Sequence, residues 1–339
     1  MSTTTLETSQ ASHHPPRGGT PRTRYVLLAI WLIWCFVAAL GALWVAEHRR
    51  AKPGLGDGRN IDTYGFDLRG CLVPLASIEA SGAGRDEIPS PVNPAMIPAA
   101  ELKPDLRLAG VRKLRSTERV IGVVIDGEPR AYPLWVMVWN EIVNDTVAGR
   151  PIAVTYDALC DSAVVFDRAI TNEAGQTEVA QFAFSGLLFD SNLLMYDRRD
   201  IDGGQSLWSQ LQARAIAGPA ARRGATLRVL PSTVVTWDTW KARYPESLVM
   251  LPDQERKEYF KRDPYMSYLG SDELRFNVQY LPDRSERPFK TPMVAVWRGD
   301  GWLVRPATEI RDAIDLAEGD APVIHSFWFA WYASHPAIK

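Results

Sequence analysis

The sequence predicts a mainly β, α+β domain of antiparallel strands with a degenerate internal duplication, preceded by one transmembrane helix. Three observations carry this. Short apolar runs rich in Val, Ile, Phe and Tyr recur between turn residues from Val120 to Leu230, the pattern of a strand-rich domain. A motif of the form W-x-x-W-x-x-x-[YH]-P occurs at Trp237–Pro245 and returns at Trp328–Pro336. Finally, Tyr25 to Ala46 is free of charge and would form a helix of roughly 33 Å at about 1.5 Å per residue, long enough to cross a bilayer.

Residues 1–24, rich in Ser, Thr, Pro and His, read as a disordered tail. Tyr25–Ala46 then reads as a signal-anchor, with Trp44 near its end at the depth where aromatic side chains settle. Its apolar run exceeds the roughly 7–15 residues of a cleaved signal peptide, although Ala39-Leu40-Gly41 has the small-x-small form of a cleavage site. Arg17, Arg22 and Arg24 on one side balance Arg49, Arg50 and Lys52 on the other. The short polar tail decides the orientation: it stays in the cytoplasm, which makes the chain a single-pass membrane protein with an extracytoplasmic (periplasmic) C-terminal domain. The lipid bilayer is thus one partner. Nucleic acid is not, because a net charge of -2 offers no basic face.

A linker with Pro53, Gly54, Gly56 and Gly58 is expected over residues 47–60, and the β-rich domain over residues 61–339. Prolines punctuate a loop-rich stretch from Ser81 to Pro104. Val120–Ile125 runs into Asp126-Gly127, a hairpin signal, and returns through Arg130-Ala131-Tyr132. After Pro133, Leu134 to Asp145 reads as a short helix with Trp135, Trp139 and Ile142 on one face and Asn140 and Asn144 one turn apart on another. Further strands are expected at Ala153–Tyr156, Ala163–Phe166, Ala180–Phe184, Leu193–Tyr196 and Leu227–Leu230. The repeats cover about residues 110–250 and, in a shorter copy, about 283–339. In that copy Val294–Gly301 echoes the first hairpin and Arg305-Pro306 stands where the first has Tyr132-Pro133. The paired tryptophans of each motif share one helical face and read as core, with stacking on a ligand as the alternative.

Only the longer copy contains the polar stretch that suggests chemistry. Glu141, Asp197 and Arg198 are the candidate catalytic groups. Glu141 would orient a ligand or carry protons, and Arg198 would hold an anionic group. Asn140, Asn144, Ser206, Trp208 and Gln210 are candidate ligand-binding residues, Asn140 and Asn144 being equally readable as a buried amide network. Asp157 and Cys160 have the spacing of a turn on which two donors converge, so a carboxylate and a thiolate become candidate ligands of a transition metal ion. A structural Cys160, or a nucleophile activated by His325 or His335 folding back, are the alternatives. Three cysteines make no disulfide framework, though export would allow Cys71 and Cys160 to pair.

Several separated blocks, taken together, resemble the domain of unknown function family numbered 3179, found in bacterial and archaeal proteins. They are Asp86–Pro89, Arg130–Pro133, Asn140–Asp145, Met195–Arg198, Ser206–Gln210, Asp263-Pro264-Tyr265 and Trp328–Trp331. The resemblance implies a histidine where this chain has Asn140, and Cys-Pro-Leu-Cys where it has Asp157-Ala158-Leu159-Cys160. That pattern looks like a metal or redox site, here converted to a donor set richer in oxygen. Two classes of function follow: a membrane-anchored extracytoplasmic metal-binding or redox-related protein, or a non-catalytic envelope binding or interaction module.

Overall fold

Asp126 and Gly127 reverse the chain with positive φ at both positions, 48° and 84°, the handedness that a two-residue hairpin turn demands. They join β1 (Arg119–Ile125) to β2 (Glu128–Pro133) in an antiparallel register from Ile125↔Glu128 to Val120↔Pro133. The computed structural model describes Tyr25 and residues 55–103, 106–108, 110–172, 174–198 and 204–335. The predicted tail, and the span Tyr25–Ala46 apart from Tyr25, lie outside these residues. Among the described residues no helix is long and apolar enough to cross a membrane. Of the expected linker, residues 55–60 pack on the domain: Leu55 accepts from the Arg85 amide at 2.7 Å, and Gly56 donates to Thr63 at 3.0 Å.

The helix expected over Leu134–Asp145 is shorter, covering only Leu134–Met137. Glu141 adopts a left-handed φ of 53°, which no α-helix continues through. The β-branched pair Ile142-Val143 then opens β3 (Ile142–Val147). Asn140 and Asn144 therefore do not share a helix face. From β3 the chain meanders through β4 (Arg150–Asp157) and β5 (Ser162–Asp167), all antiparallel, with Asp157 opposite Ser162. A second sheet holds β6 (Phe182–Phe189), β7 (Asn192–Asp197) and β8 (Leu207–Ser209), with Asp190 and Ser191 turning the first hairpin. The strand expected at Leu227–Leu230 is absent. Leu227 donates to Ala213 at 2.7 Å and Leu230 to Val165 at 2.8 Å, so the segment is strung between two sheets and makes only isolated bridges.

Two stretches of the chain share one layout. In the first, β9 (Thr233–Thr236) pairs with β1 and enters α1 (Trp237–Arg243). In the second, β10 (Pro292–Trp297) pairs with β11 (Trp302–Pro306) and β12 (Val323–Phe327), which enters α2 (Trp328–Ser334). The strand orders β9-β1-β2 and β12-β10-β11 correspond. So do the registers: Thr236↔Arg119 answers Phe327↔Pro292, and Val120↔Pro133 answers Met293↔Pro306. Even the helix entries match, with Trp237 donating to Glu118 and Trp328 to Thr291 through their amides. Trp240 and Trp331 are buried, each against the ring that precedes the motif's proline: Tyr244 at 4.4 Å and His335 at 3.8 Å. Trp237, Trp240 and Trp331 are core, and Trp328 packs against it half-buried. Gly122 is glycine because a Cβ there would sit 2.0 Å from the Trp240 ring. Through β12 the second stretch joins the meander, giving a six-stranded sheet in the order β11-β10-β12-β5-β4-β3. Cys71 and Cys160 are not joined; both are free thiols.

Candidate functional site

Successive residues of β4 face opposite sides of the sheet, so Thr155 and Asp157 point one way and Tyr156 the other. Asp157 is buried and fully engaged. Its Oδ1 accepts from the Leu159 amide at 2.8 Å, while Oδ2 accepts from the Leu193 amide at 2.8 Å and Asn192 Nδ2 at 3.0 Å. Asn192 continues the network to Ser162 Oγ at 3.1 Å and Gln210 Oε1 at 2.9 Å. Ser162 donates to Gln210 at 2.6 Å, and Gln210 donates to Thr155 Oγ1 at 2.8 Å. Every member is buried, so the network ties β4, β5, β7 and the end of β8 together in a medium where each bond counts. Burial pushes the Asp157 carboxyl up to about 6, against the pull of the donated hydrogen bonds.

Glu141 stands beside this network in a different condition. Its backbone is fully bonded, donating to Met137 at 2.7 Å and accepting from the Tyr156 amide at 2.7 Å. Its side chain makes no hydrogen bond among the described residues, although the residue is only 8% exposed. Burial first, and the charge of Asp157 second, hold its pKa well above the usual carboxylate range. Tyr265 lies close enough that Glu141 and Asp157 add to the effect of burial in raising its phenol. Tyr268 donates to the Leu159 carbonyl at 2.8 Å, and the Arg275 guanidinium lies over both rings, 5.3 Å from Tyr265 and 5.2 Å from Tyr268. Two tyrosines, with Arg275 against their rings, thus stand near the two acids.

Cys160 donates its thiol proton to the Ser191 carbonyl at 3.3 Å, and burial, then the Asp157 charge, pushes its pKa well up, so it remains a thiol. As arranged, the two candidate metal ligands do not fit a metal ion. Both Asp157 oxygens are taken by three donors, and the Cys160 thiol is turned to the Ser191 carbonyl. Among the described residues no three His, Cys, Asp or Glu side chains stand together as a set that could hold a metal.

The other sequence-predicted residues disperse. Asn140 donates to the Val136 carbonyl at 3.0 Å and lines a groove of about 430 Å³ with Pro91, Met250 and Pro252. Asn144 clamps the second sheet, donating to the Phe182 carbonyl at 2.8 Å and accepting from its amide at 2.9 Å. Asp197 accepts from the Ser206 amide at 2.6 Å, and Ser206 Oγ from the Ala220 amide at 2.9 Å, which pins the loop after β7. Arg198 pairs with Asp86 at 2.7 Å, and Tyr196 donates to the same carboxylate at 2.6 Å. Trp208 is buried edge-on against Phe182. Glu141, Asp157, Cys160 and Gln210 are therefore the predicted residues that come together. Ser162, Asn192, Tyr265 and Tyr268 join them without having been singled out for the site. The Asp263-Pro264-Tyr265 block was the available signal for the tyrosines.

A family model described as a protein of unknown function, DUF3179, matches residues 85–323. The chain belongs to this family. No curated protein and no solved structure matches it. The DUF3179 match encloses the whole cluster, from Glu141 through Asp157, Asn192 and Gln210 to Tyr265 and Tyr268. Four stretches separated along the chain (Asn140–Asp145, Asp157–Cys160, Ser206–Gln210 and Asp263–Tyr265) each bring a side chain to or near this acidic centre.

Proposed function

We propose that this DUF3179 protein is a membrane-anchored binding module. Tyr25–Ala46 holds it in the bilayer, its C-terminal domain lies outside the cytoplasm, and its ligand is met by Glu141. The observation that carries the reading of the site is Glu141: a residue only 8% exposed, its carboxyl without a hydrogen bond among the described residues, on a left-handed backbone and beside a second carboxyl. A carboxyl largely stripped of water and a strained φ both cost stability, and such costs gather where a ligand completes the arrangement. Two neighbouring acids select a group bringing positive charge, such as a protonated amine. Glu141 is neutral while the site is empty and ionises as the cation arrives, so binding releases a proton. We read the two stretches of common layout as a degenerate duplication in which only the first acquired this centre.

Two experiments test the proposal. A reporter active only outside the cytoplasm, fused after Lys339, is expected to be active; activity of a cytoplasmic reporter instead would reverse the topology. Elemental analysis of the full chain, purified without chelator or metal-affinity tag beside Cys160→Ala, is expected to find no stoichiometric metal in either. Near one equivalent of a transition metal, lost in Cys160→Ala, would return the site to metal chemistry.

A further inference from the structure

The antiparallel pairing of Met96 with Met250 runs one step further, to the Leu251 amide, which donates to the Ala95 carbonyl at 2.8 Å. Next in this register come Pro94 and Pro252, and neither has an N–H to carry the ladder on. The two segments part there. The first is held instead by β3: the Asn144 amide donates to the Pro91 carbonyl at 2.9 Å, and the Asn144 carbonyl accepts from the Asn93 amide at 2.7 Å. The groove of about 430 Å³ takes Pro89, Pro91 and Pro94 from one segment, and Met250, Leu251 and Pro252 from the other. Its polar groups are nearly all acceptors. Asn140 is 3% exposed; its Nδ2 is spent on the Val136 carbonyl, while its Oδ1 accepts no hydrogen bond among the described residues. Asp253 and Glu255 also line the groove and are exposed. Asp253 accepts from the Glu255 amide at 2.9 Å, and the Glu255 carboxylate has no hydrogen bond or ion pair among the described residues. Arg256 follows them but is directed elsewhere, donating to the Trp139 carbonyl at 3.2 Å and lying over the Tyr259 ring at 4.9 Å. Among the described lining side chains only Gln254 still offers a donor.

We propose that this groove is a second binding site, for an organic ammonium ion with an apolar body. The ammonium donates to Asn140 Oδ1 in the field of Asp253 and Glu255, and the body lies against the prolines and Met250. A carboxylate would meet two like charges and an acceptor with nothing to donate, and a bare hydrocarbon would leave Asn140 Oδ1 unpaired. The volume falls within the ~300–1,000 Å³ typical of small-molecule sites. Glu141, although next to Asn140 in sequence, is not part of this lining, so the inference does not rest on the Glu141 centre.

Equilibrium dialysis of the full chain in detergent micelles, with protein-free micelles as the blank, tests this with 2-phenylethylamine, methylamine and 3-phenylpropanoate. Phenylethylamine is expected to bind roughly tenfold or more tightly than methylamine, because each buried CH₂ is worth about fourfold, and phenylpropanoate is expected not to bind. Asn140→Ala should weaken phenylethylamine roughly three- to tenfold, the worth of one hydrogen bond. Glu255→Gln should weaken it about two- to fivefold, and Glu141→Gln should leave it unchanged. Because the Glu255 side chain is exposed and unpartnered among the described residues, its variant keeps the fold and decides the matter should Asn140→Ala not fold. The inference falls if phenylethylamine does not bind, if methylamine or phenylpropanoate binds as tightly, or if Glu255→Gln or a folded Asn140→Ala binds as the parent does. Loss of phenylethylamine binding in Glu141→Gln would also overturn it, by placing the amine at the acidic centre and so favouring the reading of Glu141.

Discussion

Asn144→Ala is expected to destabilise the fold by about 2–6 kcal/mol and to lower Tm by at least about 4 °C. The amide is fully buried and bonds both main-chain groups of Phe182, joining β3 to β6 and so one sheet to the other. Alanine strands a buried N–H and a buried C=O at once, each costing about 1–3 kcal/mol when unsatisfied. Because no titratable group is involved, the loss should be the same at pH 5 and pH 8 in thermal unfolding. A loss below about 1 kcal/mol would mean the sheets do not depend on this clamp. As a sequence residue Asn144 looked like part of a ligand face; its partners make it a fastener.

Glu141→Gln should do the reverse. Folding raises the pKa of Glu141, so the folded chain holds a proton that the unfolded chain has released over the interval between the two pKa values. Parent stability therefore falls as pH rises through the unfolded value near ~4.3, and goes on falling until the folded pKa is reached. Glutamine is neutral throughout. Below about pH 4 the two proteins should match, since neither acid nor amide has a partner to lose. Above it the variant should gain on the parent by about 1.4 kcal/mol per pH unit until the folded pKa is passed. At about 2–4 °C per kcal/mol, thermal unfolding at pH 4 and pH 7 resolves the divergence. A variant less stable than the parent at both pH values would show that the carboxylate has a structural partner.

Local signals were legible and long-range ones were not. Asp126-Gly127 announced its hairpin because a turn's φ requirements are written in two adjacent residues. The repeated Trp motif pointed to two units whose strand registers then matched residue for residue. Leu134–Asp145 misled because apolar spacing suited a helix, while the left-handed break at Glu141 depends on β3 pairing with β4. Leu227–Leu230 has the composition of a strand but lies between two sheets, each taking one of its amides. For the site, Glu141, Asp157, Cys160 and Gln210 stood out as polar residues among apolar ones. Asn192 did not: its role depends on Asp157, Ser162 and Gln210, which only the folded sheets bring to it.

The most direct test of the central claim, that Glu141 is a neutral carboxyl awaiting a ligand, is infrared difference spectroscopy of the parent against Glu141→Gln at pH 7. Asp157, at about 6, is mostly ionised there, so it contributes little to the protonated-carboxyl signal. A carbonyl band of a protonated carboxylic acid is expected in the parent and should vanish in the variant. A parent without that band would mean that Glu141 is already charged and compensated, and the binding reading of the site would be contradicted.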